Sequence, residues 1–159
     1  MRSWLTSGLL ALLFLCAPVR AYADLTAFVG VNPTPSKRTV TGVALGVGVL
    51  VVGFEFEYAN TKADDLHAAP SLKTGMFNLL AQTPEVSGFQ VYGTIGGGVY
   101  QEQLGDRKET QVGVNVGGGV KISLAGPLRL RLDYRIYTLR GEPLESKPQR
   151  FYAGLNLAF

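Results

Sequence analysis

Cysteine, histidine and tryptophan are nearly missing from this sequence: each occurs once in 159 residues. The lone cysteine, Cys16, lies in an N-terminal segment that reads as removable, so the remaining chain has none. Disulfide frameworks, thiolate zinc sites and cysteine nucleophiles are thereby excluded. One histidine, His67, cannot build a multi-histidine metal centre. No charge excess of one sign is present. The chain carries 15 Lys+Arg against 12 Asp+Glu, and without Arg2 and Arg20 the balance is 13 to 12, a net +1. A nucleic-acid partner needs a concentrated basic face, so none is expected. Beyond residue 23 no apolar run approaches the ~18 residues of a spanning helix.

What is abundant is glycine, 20 residues of 159, against an average of ~7 %. Two triads recur as Ile95-Gly96-Gly97-Gly98-Val99 and Val116-Gly117-Gly118-Gly119-Val120. They fit neither G-x-G-x-x-G nor the P-loop pattern, so no nucleotide and no other cofactor is implied. They read as places where the chain yields space to Tyr92, Tyr100 or nearby arginines, or bends sharply.

The N-terminus has the layout of an export signal. Arg2 supplies positive charge, Leu5 to Cys16 is apolar, and Ala21-Tyr22-Ala23 is a small-x-small cleavage site. Residues 1–23 are therefore expected to be a signal peptide, with Asp24 as the mature N-terminus and 24–159 as the working domain. Phe14-Leu15 before Cys16 argue against lipid attachment, which prefers small residues there.

From Leu25 onward the dominant period is two, the mark of strands with unlike faces. Leu128, Leu130, Leu132, Tyr134 and Ile136 alternate with Arg129, Arg131, Asp133, Arg135 and Tyr137. Phe54, Phe56 and Tyr58 alternate with Glu55 and Glu57. This spacing predicts eight strands, at 24–33, 39–50, 51–61, 74–83, 88–101, 109–124, 127–139 and 148–159. Within 74–83, Asn78 and Gln82 share a face with Met76 and Leu80, which blurs the pattern. The turns near Leu50–Val52, Thr83–Gly88 and Ser123–Leu128 are short. The segments Asn60–Lys73, Gln101–Thr110 and Arg140–Arg150 read as long polar loops. Short turns at one end and long loops at the other match a transmembrane barrel.

Alternation alone does not say which face points outward. A soluble, lipocalin-like barrel would hold Leu, Val and Phe inside. Three features favour the reverse. The polar set is rich in glycine, with Thr, Asn and Tyr, which suits the crowded inside of a narrow barrel. Its charges have both signs, as an enclosed interior requires. The apolar set places Phe89 and Phe159 at the turn side and Tyr58 and Phe151 at the loop side, as aromatic girdles do. The expected fold is an all-β, eight-stranded, antiparallel, up-and-down transmembrane β-barrel.

The last strand, Phe151-Tyr152-Ala153-Gly154-Leu155-Asn156-Leu157-Ala158-Phe159, alternates and ends on an aromatic residue. It resembles the C-terminal signal of bacterial outer-membrane proteins, and residues 24–159 resemble the small outer-membrane β-barrel domain family (OmpA/OmpX-like). The resemblance implies location in the outer membrane of a Gram-negative-type cell and contact with its lipids. It also implies assembly by the barrel-assembly machinery, with Phe159 as the recognition element, and a monomeric barrel.

Two constellations carry possible chemistry. Glu55, Glu57, Lys121, Arg129, Arg131, Asp133 and Arg135 fall on the inward set and are expected to form a lumen charge network. His67 lies in a polar loop with Asp64, Asp65 and Ser71. Some lipid A-modifying barrels use His with Ser and an acidic residue, which would make Ser71 a nucleophile and His67 its base. No motif of those enzymes is present here, so no catalytic residue is assigned. The leading expectation is a non-enzymatic structural or surface-interaction protein with a largely plugged lumen. A narrow porin-like channel and a lipid A-modifying enzyme are the alternatives.

Overall fold

The computed structural model describes residues 21–159; the expected signal segment up to residue 20 lies outside the described residues. Eight strands follow one another: β1 (Ala21–Asn32), β2 (Arg38–Val49), β3 (Val52–Thr61), β4 (Ser71–Gln82), β5 (Phe89–Leu104), β6 (Arg107–Ala125), β7 (Leu128–Leu139) and β8 (Gln149–Ala158). Each pairs antiparallel with its sequence neighbour, and β8 pairs with β1 to close the barrel. The fold is the eight-stranded up-and-down barrel that the alternation predicts. Even the shortest strands have 10 residues. At ~3.3 Å per residue and a tilt near 40°, that is about 25 Å of height, enough to cross hydrocarbon.

β4 forms throughout although Asn78 and Gln82 interrupt its apolar face. The reason is that its inward face meets a polar lumen, where Asn78 donates to Glu55 at 3.2 Å. The expected long loop at Gln101–Thr110 is corrected: these residues are strand, closed by a two-residue turn at Gly105-Asp106. Glu102 faces Glu109 and Gln103 faces Lys108 in that ladder. Charge disfavours a strand buried in lipid, but a strand projecting into water keeps its ladder and solvates its side chains. Gly105 and Gly126 both have positive φ, 56° and 55°, at the first position of tight turns, where a side chain would be strained.

The two faces differ sharply. Outward residues include Leu25, Val43, Phe54, Phe77, Ile95, Val114 and Leu155, all exposed. Inward residues include the buried Asp24, Glu55, Glu57, Lys121, Arg131, Asp133, Arg135 and Arg150. An apolar exterior of this extent is solvated by lipid, not water. Phe89, Phe159, Tyr58 and Phe151 are exposed at the two margins of the belt. Inward glycines make room for large neighbours. A Cβ on Gly119 would collide with the Tyr92 hydroxyl, and one on Gly42 with the Phe28 ring.

Ile95 is 61 % exposed on the outer face of β5. Ile95→Arg should destabilise the inserted barrel by ~2–4 kcal/mol, whereas Thr94→Ser on the inner face should be tolerated. Urea unfolding in liposomes, followed by heat-modifiable mobility, measures both.

Candidate functional site: an ionic plug in the lumen

The inward positions of β1, β3, β6, β7 and β8 bring four carboxylates and four cations into one enclosed space. β7 contributes Arg131, Asp133 and Arg135 on successive inward positions; β3, across the lumen, contributes Glu55 and Glu57. Arg131 donates from Nη1 to Glu55, and its Nη2 lies 3.2 Å from Asp133. Arg135 donates from Nη2 to Glu55 at 2.8 Å and from Nε to Asp133 at 2.9 Å. Its Nη1 stands 3.2 Å from Glu57, an ion-pair contact without hydrogen-bond geometry. Arg150 on β8 donates to Glu57 at 2.9 Å. Nearer the turn end, Lys121 donates to Asp24 at 2.6 Å and to Gln82 at 3.3 Å.

Tyrosines fill the gaps. The Tyr92 hydroxyl donates to Asp133 and accepts from Arg131 Nε at 2.7 Å. Tyr137 donates to Glu57 at 3.2 Å and accepts from Arg150 at 2.7 Å. Arg131 also lies over the Tyr92 ring and Arg150 over the Tyr137 ring, at 4.8 and 4.6 Å. Toward the loops, two apolar clusters continue the filling. Phe28 stacks on Tyr152 at 4.0 Å, and Leu72, Met76, Tyr100, Tyr137 and Leu139 pack together.

Among the network residues read from sequence, Glu55, Glu57, Arg131, Asp133 and Arg135 are in mutual contact. Lys121 is inside but pairs with Asp24. Arg129 is corrected: it stands at the turn-side mouth, partly exposed, paired with Glu85 at 3.3 Å. Its parity is inward, yet its height on the tilted strand leaves it outside the sealed section. Arg150 and Asp24 complete the plug and escaped the sequence reading. Arg150 resembles one more cation of a charged loop, although its alternation with Tyr152 and Asn156 signals an inward face. Asp24 stands in the sequence only as the expected mature N-terminus.

The His67 loop is a separate feature. Asp65–His67 form one 3₁₀ turn, and His67 Nδ1 lies 2.7 Å from Asp64 Oδ2. Ser36 donates to the same oxygen at 3.0 Å, tying the first outer loop to the second. These two hydrogen bonds hold the Asp64 carboxyl below the ordinary carboxylate range, His67 acting most strongly. Ser71 does not join them; its hydroxyl donates to the Gln103 carbonyl at 3.3 Å.

An apolar outside and a neutral ionic inside define a transmembrane β-barrel whose bore is occupied by side chains. No family model matches the chain, and no curated protein matches it. Solved structures do share the fold. The N-terminal β-barrel domain of Pseudomonas aeruginosa OprF is 14 % identical with a TM-score of 0.67, over 87 % of this chain and 97 % of that one. Neisserial surface protein A is 16 % identical with a TM-score of 0.66, over 87 % and 96 %. The outer membrane enzyme PagL is 13 % identical with a TM-score of 0.56, over 84 % and 98 %. The chain thus has the fold of the small OmpA/OmpX-like barrels.

Removing one partner leaves a buried charge uncompensated, typically at ~3–5 kcal/mol. Arg135→Ala should lower the unfolding midpoint in detergent by more than Arg129→Ala, whose ion pair is exposed to water. At the loops, an NMR titration should find Asp64 below the usual carboxylate range. His67→Ala should move it upward.

Proposed function

We propose that this chain is an outer-membrane barrel that works as a non-enzymatic structural or surface-interaction protein, with a lumen closed to solutes. One observation carries the reading: four carboxylates and four cations, all nearly inaccessible to solvent, cross the bore as a neutral set. An eight-stranded barrel has an interior just wide enough for its own side chains. Opposite charges held in such a space attract strongly, so an ion must displace several contacts at once to pass. Function then lies on the loops and the lipid-facing wall. Solved barrels of this fold include an outer membrane enzyme and a neisserial surface protein, which supports the location.

The enzymatic alternative draws on the Asp64–His67 contact, which orients an imidazole as a general base requires. It lacks a nucleophile in place, because Ser71 is engaged elsewhere. Export with cleavage after Ala23 belongs to the same proposal. It leaves Asp24 at the start of β1, with its carboxylate on Lys121.

In planar bilayers the protein should be silent or give only rare, small events. Replacing Glu55, Asp133, Arg131 and Arg135 together by Ala removes two charges of each sign and should open a small steady conductance. Large, stable openings of the unaltered protein would refute the closed lumen. Mass spectrometry of the exported protein should find Asp24 at the N-terminus; retention of residues 1–23 would contradict the signal reading.

A further inference from the structure

On the outer wall of β3 to β6, Tyr58, Gly75, Val99 and Val112 occupy one register rank, and Asn60, Lys73, Gln101 and Thr110 the next toward the loops. The first rank ends the apolar belt and the second begins the polar rim. Because Gly75 lacks a side chain between Tyr58 and Val99, the wall is indented there. The furrow of about 270 Å³ is lined by Tyr58, Lys73, Gly75, Val99, Gln101 and Thr110. Lys73 is exposed at its upper end, with no ion pair among the described residues. Gln101 donates its amide to the Thr110 hydroxyl at 3.2 Å, which leaves that hydroxyl's own proton free to donate outward.

A cation and a hydroxyl donor at a membrane rim, above an apolar slot, match one kind of occupant. We propose that this furrow binds a phosphate-bearing anionic lipid, its phosphate on Lys73 and Thr110 and one acyl chain against Gly75 and Val99. The other furrow with lysines in its lining, at Lys37 and Lys62, lies in the loops rather than on the wall and also carries Asp64 and Asp65, which repel a phosphate. The larger furrow of about 580 Å³ near Gly118, Leu132 and Ala153 has no lysine or arginine in its lining. The proposal rests on the transmembrane fold and not on the closed lumen, so the two fail separately.

The test is native mass spectrometry of the full protein released from nanodiscs of equal phosphatidylglycerol and phosphatidylcholine with matched chains. One phosphatidylglycerol should be retained per barrel, enriched about fivefold over phosphatidylcholine, the worth of one lysine beside an anionic surface. Lys73→Gln should reduce the enrichment to near unity, and Lys62→Gln should leave it intact. Gly75→Leu should fill the slot and lower retention of both lipids; a Cβ at Gly75 meets only Val99, at 3.8 Å, so the barrel accommodates it. No enrichment by the unaltered protein, or enrichment unchanged in Lys73→Gln, would overturn the proposal. Retention unchanged in a folded Gly75→Leu would overturn its acyl-chain half. Should Gly75→Leu not fold, the Lys73→Gln comparison alone decides.

Discussion

Backbone hydrogen bonding in hydrocarbon is the constraint from which the rest of this structure follows. A peptide group left unpaired in lipid costs several kcal/mol, so a sheet that crosses a membrane must close on itself. Closure is made here by β1 and β8, which pair from Asp24 with Ala158 to Val31 with Phe151. With only eight strands the closed sheet is narrow, and half of its side chains must share that narrow interior. Glycines on the inner face and large polar groups opposite them are two sides of one packing requirement.

The same narrowness explains why the interior charges are balanced. Single buried charges are costly, and ion pairs become tolerable when geometry is good and further hydrogen bonds complete them. Glu55 is met by two arginines and by Asn78; Asp133 by two arginines and Tyr92. These side chains come from strands on opposite sides of the bore, so the network also braces the wall from within. Filling the bore and holding the barrel together are thus the work of the same side chains.

The outside is not uniform. Its girdle residues mark where lipid ends, and the β5–β6 hairpin carries the ladder beyond that boundary into water. The furrow under Lys73 sits where these two zones meet. Loops 33–37 and 62–70 are joined by the hydrogen bond from Ser36 to Asp64, and His67 meets the same carboxylate within the second loop.

The order and number of strands, their inward and outward faces and the lipid-facing exterior were legible in the sequence. The physical reason is that a side-chain period of two is local and survives without knowledge of neighbours. The alternating Leu128–Tyr137 segment carried both the strand and the charge pattern of the plug. What only the tertiary structure decided was height and partnership. Arg129 and Arg131 have the same parity, yet strand tilt leaves the first at the mouth and seals the second in the bore. Arg150 and Asp24 join the plug because closure turns the inner faces of β8 and β1 into the bore, where Arg150 reaches Glu57 on β3 and Asp24 reaches Lys121 on β6. Charges at Gln101–Thr110 suggested a loop, but above the membrane water solvates side chains while the ladder continues. Parity is written in sequence; register, tilt and closure are set by hydrogen bonds between distant strands.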